Sequence, residues 1–220
     1  MKILATGDFH GDIRKVNRIA QKAVDENVDL ILLLGDMLHG DQQIDGLIQP
    51  FVKTGKEVMF ITGNHDNMAH NDMWETMYKI KSLHGKGFVR NNIGIFGTSG
   101  CNVGVHQFTE TELFNYLKNG NEKVKSAKKR IMVSHVHPSG STGEKLSAFI
   151  PGSLGVTKAI YELQPDIHIC CHVHEAEGLE EKMGKTLVIN TGAKGKVIEV
   201  WFWKNIRLNK KAKALFLRLL

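Results

Sequence analysis

The first 61 residues alternate short apolar runs with segments of helical periodicity, and this alternation restricts the chain to few folds. Lys2–Thr6, residues 29–34 and Glu57–Ile61 have the length and composition of buried strands. Between them, apolar residues at helical spacing predict an amphipathic helix over roughly 12–26 and a second helix around 44–52. A strand–helix–strand–helix–strand order requires parallel strands joined by right-handed crossovers. The opening of the chain therefore predicts an α/β fold.

The remainder of the chain predicts more helices and a group of antiparallel strands. Helices are expected over 73–83, over 109–128 with a break or bend near Gly120, and over Leu154–Leu163. Asn91-Asn92 lies between the apolar runs 88–89 and 93–96, which is typical of a tight hairpin. Further strands are expected at 130–133, 166–169, 179–182, 187–189 and 197–203. Because the late antiparallel strands need a second surface to cover, we expect two mixed sheets packed face to face with helices outside.

Length and charge predict one domain, residues 1–203, followed by a basic tail, residues 204–220. A chain of 220 residues usually forms a single domain. The tail holds six Lys or Arg and no acidic residue, so the remaining basic residues equal the 23 acidic ones in number. A neutral body argues against nucleic acid as the main partner. The tail itself is either an amphipathic segment for anionic membrane or nucleic acid, or a terminal element packed on the body.

Hydropathy and cysteine usage predict a cytoplasmic protein without a membrane span. No apolar run approaches the ~18 residues that cross a bilayer, and the apolar stretch after Met1 is too short for a signal peptide. Cys101, Cys170 and Cys171 are odd in number and two are adjacent, which makes a poor disulfide framework. A reducing compartment follows. We expect Cys101 and Cys170 to pack as small apolar residues.

Residue types that bind metals follow five of the predicted strands. In open α/β sheets, ligand sites form at the carboxyl ends of the strands. Any one of the 11 histidines is more often a surface or packed residue than a ligand, and a lone D-x-H or H-x-H is a weak signal. Five such segments in order at strand ends form a strong joint signal. The segments are Asp8-Phe9-His10, Gly35-Asp36, Gly63-Asn64-His65-Asp66, Ser134-His135 and Cys171-His172-Val173-His174.

Spacing and donor type restrict the site further. Residues i and i+2 of an extended segment point the same way, so Asp8 with His10, and His172 with His174, each offer two donors to one side. Mixed nitrogen and oxygen donors suit Mn, Fe, Zn, Co or Ni better than Ca. Asp36 follows the most central-looking strand. A carboxylate at that point can bridge two ions ~3.5–4 Å apart, the usual clamp for phosphoryl chemistry.

In these residues the chain resembles the calcineurin-like metallophosphoesterases. The family pattern is D-x-H, G-D, G-N-H-[DE], a lone His and G-H-x-H, and the matching residues span 8–174. The resemblance implies a four-layer α/β/β/α sandwich and a dinuclear site, with Mn²⁺ as the first choice before Ni²⁺, Fe²⁺, Zn²⁺ or Co²⁺. One ion is assigned to Asp8, His10, Asp36 and His174. The other is assigned to Asp36, Asn64, His135 and His172, with Asp36 bridging.

The resemblance also implies a mechanism for hydrolysing phosphodiesters, with monoesters as a second substrate class. Two ions lower the pKa of a bridging water, and the resulting hydroxide attacks phosphorus in line with the leaving oxygen. His65 protonates the leaving oxygen or binds the phosphate in this scheme, and Asn64 also contacts the substrate. Asp66 is expected to orient the His65 ring or to support its charge.

Five further residues have open interpretations. Cys171 stands where the family pattern has Gly, and a tolerated replacement is favoured over a Cys ligand because the expected ligand roles are filled. His39 is either a pocket residue that contacts substrate or a plain loop histidine. His106 lies in a glycine-rich stretch that is either a substrate loop or simply a turn. His137 follows His135 by two residues and is a candidate to point inward toward the site. Asp12 is expected to cap the helix that follows it.

Two alternative functions stay open. The first is a non-catalytic metal-binding scaffold of the same fold, although loss of catalysis typically removes ligands or the leaving-group histidine, and this chain retains them. The second is a nuclease, whose nucleic-acid contacts would come from the tail. We expect substrate specificity to lie in the loops at 98–108 and 136–153.

Overall fold

The computed structural model describes residues 1–40, 46–104, 107–147 and 149–201. Its first sheet contains β1 (Lys2–Thr6), β2 (Leu30–Leu34), β3 (Glu57–Ile61), β4 (Lys81–Ser82) and β11 (Lys196–Glu199). The strand order is β11-β1-β2-β3-β4, in which β1 to β4 are parallel and β11 is antiparallel to β1. The predicted parallel core is therefore confirmed, and β2 is the central strand, as expected.

The second sheet has six strands and is also mixed. They are β5 (Gly87–Arg90), β6 (Ile93–Thr98), β7 (Lys129–Ser134), β8 (Ile167–Cys170), β9 (Glu180–Met183) and β10 (Thr186–Asn190). The order is β5-β6-β7-β8-β10-β9, with antiparallel strands only at the two edges. Asn91 and Asn92 both have positive φ, which gives the predicted β5–β6 hairpin the backbone of a type I′ turn.

Helices cover the outer faces of both sheets. They are α1 (Ile13–Asp25), α2 (Gln49–Lys53), α3 (Ala69–Tyr78), α4 (Glu110–Val124), α5 (Thr142–Leu146) and α6 (Leu154–Leu163). Asp12 caps α1 as predicted, because its carboxylate accepts hydrogen bonds from the backbone N–H of Arg14 and Lys15. Thr109 and Glu112 form a capping box at the start of α4.

Strand residues alternate between two cores. Along β2, Leu30, Leu32 and Leu34 pack between the two sheets, whereas Ile31 and Leu33 pack against the helices of the first sheet. A third core lies between the second sheet and helices α4 and α6. Helix, sheet, sheet and helix thus form four layers, which confirms the predicted α/β/β/α architecture.

Three helix predictions were wrong in extent. The helix expected around 44–52 begins only at Gln49, since residues 46–48 form a turn and bends. The helix expected over 73–83 begins earlier and ends at Tyr78, because Lys79 adopts a left-handed backbone (φ 57) and the chain then enters β4. Helix α4 ends at Val124, and it runs through Gly120 without a break. Gly120 is needed there because a Cβ would lie 2.6 Å from the carbonyl oxygen of Lys86. The glycine allows close helix–sheet packing instead of bending the helix.

Some predictions fall on residues outside those that the structure describes. These are the basic tail 204–220, His106 and residues 44–45 of the helix expected around 44–52. None of the helices in the described ranges combines the length and the hydropathy of a membrane span.

Candidate metal centre

Parallel strands bring their carboxyl ends to one edge of the molecule, and the predicted ligand segments follow five of these ends. Strands β1, β2 and β3 of the first sheet and β7 and β8 of the second lead into this edge. Four non-glycine residues in the following turns have positive φ: Asp8 (56°), His10 (47°), Asp36 (50°) and His172 (73°). Non-glycine residues rarely adopt this backbone, and such residues concentrate at functional sites.

A contact between two glycines brings the loops after β2 and β3 together. A Cβ on Gly35, whose φ is +89°, would lie 2.3 Å from the backbone nitrogen of Gly63, and one on Gly63 would lie 2.1 Å from Oδ1 of Asp36. No side chain fits at either position. The same Oδ1 accepts a hydrogen bond from the backbone N–H of His65 at 2.9 Å. Asp36 therefore lies against the loop that carries Asn64.

Asp8, His10 and His174 form one group of potential ligands, with donor atoms all within 4.8 Å of one another. Nε2 of His10 is 3.4 Å from Nε2 of His174 and 3.9 Å from Oδ2 of Asp36. The buried Asp8 carboxylate accepts a hydrogen bond from the backbone N–H of His172. Burial lowers the pKa of His10 to about 4, so at neutral pH its ring has the uncharged form that binds metals.

A second group surrounds the fully buried His135. Its Nδ1 lies 2.8 Å from the carbonyl oxygen of Leu34, which can only accept, so the ring donates there and Nε2 of the neutral ring is a lone pair. That Nε2 lies 3.0 Å from Oδ1 of Asn64, 3.1 Å from Nδ1 of His172 and 3.3 Å from Oδ2 of Asp36. Four lone-pair atoms that converge in this way need a hydrogen atom or a metal ion between them. The donor set fits a metal.

The pKa shifts at the second group also favour a positive charge at this position. Burial lowers the pKa of His135, but the nearby carboxylates of Asp36 and Asp8 outweigh burial and raise it to about 9. Burial raises the pKa of Asp36, yet His135 and the His65 amide bring it well below the usual range of a carboxyl. Burial, with the charge of Asp36, raises the pKa of Asp8. Buried carboxylates that hold a proton on a neighbouring imidazole are also suited to hold a divalent ion.

His65 and His39 stand at the mouth of this centre. His10, Asp36, His65, His172 and His174 line an open pocket together with Ile150 and Glu175. The ring of the exposed His39 stacks on that of His65, with centroids 5.4 Å apart and an interplanar angle of 9°. The structure thus places His39 beside the pocket instead of in a remote loop.

Asp66 makes different contacts from those expected. Its buried carboxylate accepts hydrogen bonds from the backbone N–H of Gly63, Leu38 and Met37, at 3.0, 2.9 and 3.4 Å. These bonds tie the loop after β2 to the loop after β3, and none of those described for this carboxylate goes to the His65 ring. Asp66 therefore supports the backbone of the two loops. No contact described for its carboxylate supports the predicted role of orienting the His65 ring.

Cys171 itself does not adopt a left-handed backbone, because the positive φ in this turn belongs to His172. The thiol lies between the sheets, 3.1 Å from the carbonyl oxygen of Leu34 and 3.3 Å from Nδ1 of His135. It therefore packs behind the centre, which agrees with a tolerated replacement of Gly. His137 is buried as well, with its ring 6.1 Å from that of His172 at 23°.

Sequence reasoning missed three residues that support the ligand loops. Cys101 Sγ lies 3.6 Å from Nε2 of His172, the ring nitrogen that faces away from His135. Asn190 donates from Nδ2 to the carbonyl oxygens of Cys171 and Val173, on either side of His172. Gly104 approaches Asn64 so closely that a Cβ would lie 2.9 Å from Nδ2. No local pattern marks these residues, since each contacts a segment that is remote in the chain.

A family model for calcineurin-like phosphoesterases matches residues 1–176. The chain belongs to this family. The match confirms the family resemblance predicted from the five segments. By family the chain is a phosphoesterase, which is a class of hydrolases that typically bind divalent metals. A search of curated sequences finds no significant match. The assignment of individual ligands stays a prediction.

Solved structures with the same fold are distant in sequence. The protein TT1561 of Thermus thermophilus superposes with a TM-score of 0.72 at 16% identity, over 88% of this chain and 90% of that one. A dimetal phosphatase from Danio rerio superposes with a TM-score of 0.62 at 12% identity, over 88% of each chain. These likenesses confirm the calcineurin-like phosphoesterase fold.

Proposed function

We propose that this chain is a dinuclear metal-dependent phosphoesterase that hydrolyses phosphodiesters, with monoesters as a second substrate class. The observation that carries the proposal is the pair of donor groups that meet at Asp36. One group contains Asp8, His10 and His174, and the other contains His135 and His172. A carboxylate between two such groups suits a bridge between two ions. The likeness to a dimetal phosphatase supports the same arrangement.

The proposed ligands divide between two ions. Their mixed nitrogen and oxygen donors suit Mn²⁺, Ni²⁺, Fe²⁺, Zn²⁺ or Co²⁺, and the resemblance to the family makes Mn²⁺ the first choice. Asp8, His10 and His174 hold one ion, and Asn64, His135 and His172 hold the other, with Asp36 shared. When bound, two divalent ions supply an activated water and neutralise charge on the phosphate.

The chain's own residues position the metal donors and protonate the leaving oxygen. Loop bonds from Asp66, and the Leu34 carbonyl that fixes the His135 tautomer, hold the donors in place before substrate arrives. Such preorganised positions lower the barrier to phosphoryl transfer. His65 lines the pocket, half-buried, and is the proton donor for the leaving oxygen. His39 stacks on this ring and limits its rotation.

Hydrolysis of aryl phosphate mono- and diesters tests the proposal. Metal-stripped protein would receive Mn²⁺, Ni²⁺, Zn²⁺ or Mg²⁺ in turn, and wild type would be compared with Asn64→Ala and His65→Ala. His70→Ala is the matched control, because His70 lies on α3 outside the pocket lining. We expect metal-dependent turnover that falls by about 10²-fold or more in His65→Ala, the usual scale of general acid catalysis. Asn64→Ala should lower both turnover and metal content.

Two outcomes would contradict the proposal in different ways. Two ions bound per chain without turnover of any ester would favour the non-catalytic scaffold. A chain that binds no metal would refute the proposed dinuclear centre. The nuclease alternative predicts salt-dependent binding of nucleic acid that is lost when residues 204–220 are deleted. If such binding is absent before and after the deletion, that alternative fails.

A further inference from the structure

Three histidine rings come together at the mouth of the pocket. His10, His39 and His65 each offer one ring nitrogen, and these three nitrogens all lie within 4.8 Å of one another. His39 is exposed and the other two residues are half-buried, so solvent reaches the group. His39 and His65 belong to neither set of proposed ligands. The mouth therefore holds metal-binding side chains beyond those of the two-ion centre.

The rings of His39 and His65 lie nearly parallel, with centroids 5.4 Å apart and planes at 9°. His10 meets both of them edge-on, at 79° to His39 and 86° to His65. Among the described residues, no hydrogen bond or ion pair uses a ring nitrogen of His39 or His65, since the bond from His65 to Asp36 comes from the backbone. Each neutral imidazole has one lone-pair nitrogen, so both rings can bind a ligand from solution.

Donor chemistry at the mouth differs from that of the centre. The three histidines offer nitrogen alone, whereas both groups of the centre include a carboxylate. Imidazole nitrogen suits Zn²⁺, whereas Mn²⁺ and Mg²⁺ prefer oxygen ligands. Zn–N bonds of about 2.0–2.1 Å in a tetrahedral site put two ligand nitrogens about 3.4 Å apart. Rotation of the exposed His39 side chain can close the difference from the present spacing.

His10 is already a proposed ligand of the first ion. Its Nε2 lies 3.4 Å from Nε2 of His174 and 3.9 Å from Oδ2 of Asp36. In protein that holds the two ions, an extra ion therefore depends on His39 and His65, with solvent completing its coordination. Because the centre offers more protein donors to each of its ions, the extra ion should be the weakest bound.

We propose that His39 and His65 form a third, inhibitory site for a divalent ion that prefers imidazole, with Zn²⁺ as the ion of choice. This inference rests on the proposed function, in which His65 protonates the leaving oxygen. A ring nitrogen whose lone pair is bound to a metal ion cannot carry that proton. Excess Zn²⁺ therefore blocks the proton donor while the two-ion centre stays filled.

Zn²⁺ titration of metal-stripped protein tests the site without requiring turnover. Calorimetry would count the ions bound per chain in wild type, His39→Gln and His70→Gln. Glutamine keeps a planar polar side chain but offers no imidazole nitrogen. His70→Gln is the matched control, because His70 lies on α3 outside the pocket lining. We expect three ions in wild type and in His70→Gln, and two in His39→Gln.

Turnover of an aryl phosphate ester tests the inhibition. Each variant would be loaded with two equivalents of its most active ion and then given Zn²⁺ at about ten times the dissociation constant of the weakest site. Occupancy at that concentration lowers turnover about tenfold. We expect wild type and His70→Gln to lose about tenfold more turnover than His39→Gln. The same concentration of Mn²⁺ should not inhibit wild type.

Three outcomes would overturn the inference. They are equal ion counts in wild type and His39→Gln, equal losses of turnover in these two proteins, and turnover that rises with excess Zn²⁺. The proposed function fails in a different way. Loss of one ion in His39→Gln, in a protein that hydrolyses no ester, would support the metal site and refute the phosphoesterase activity.

Discussion

Replacing Gly35 by Ala tests whether the contact between the β2 and β3 loops holds the centre together. Gly35 has a φ of +89°, and an added Cβ would lie 2.3 Å from the nitrogen and 2.6 Å from the Cα of Gly63. Both atoms belong to the backbone, so no side-chain rotation relieves the overlap. The loops must separate, and Asp36 must move away from Asn64.

The expected cost has two parts. A left-handed backbone costs about 1–2 kcal/mol for a residue with a Cβ, and overpacking against rigid neighbours adds about 1–3 kcal/mol. Gly55→Ala isolates the first part, because Gly55 also has positive φ (+69°) but a Cβ there meets nothing within 4 Å. We therefore expect Gly35→Ala to lower the free energy of unfolding by about 2–5 kcal/mol and Gly55→Ala by about 1–2 kcal/mol.

Urea unfolding of the metal-stripped variants measures this difference, and metal titration of the folded variants measures its effect on the centre. Gly35→Ala should weaken metal binding, whereas Gly55→Ala should leave it unchanged. Equal losses of stability in the two variants would refute the reasoning, because strain alone would then explain both. Unchanged metal affinity in Gly35→Ala would refute the claim that this contact positions Asp36.

Three further predictions concern residues behind the centre. Gly104→Ala should push against Asn64 and weaken binding of one of two ions, which metal titration would detect; unchanged affinity would contradict the contact. Cys101→Ala should lower metal affinity by about tenfold by removing the partner of the His172 ring, with Cys101→Ser restoring it. Burial lowers the pKa of His168 to about 3, below that of the unfolded chain, so its contribution to stability is complete above pH 6.5 and is lost as pH falls. Between pH 7 and 5, the unfolding free energy of wild type should fall by about 2 kcal/mol more than that of His168→Gln.

Local patterns account for what could be predicted. Strands β1 and β3 and helix α6 have the predicted ends, because each has an apolar period that is complete within its own segment. The incorrect predictions concern helices whose extent depends on contacts with residues distant in the sequence. Helix α3 ends at Tyr78 because the next residues pair with β3 as strand β4, and Gly120 lies in a continuous helix because that helix packs on the second sheet.

The same division holds for the candidate centre. Each ligand segment follows a strand end, so its position in the chain and its residue types could be predicted from the sequence by itself, as could the shared edge of the sheets. Only the tertiary structure decided how these segments meet: the Gly35–Gly63 contact, the Leu34 carbonyl that sets the His135 tautomer, and the Cys101 thiol behind His172. It also decided that Ile150 and Glu175, from segments outside the five motifs, line the same pocket. Periodicity and motif spacing describe a segment and its immediate neighbours, whereas these contacts join segments from two sheets, whose relative placement arises from packing of the whole core.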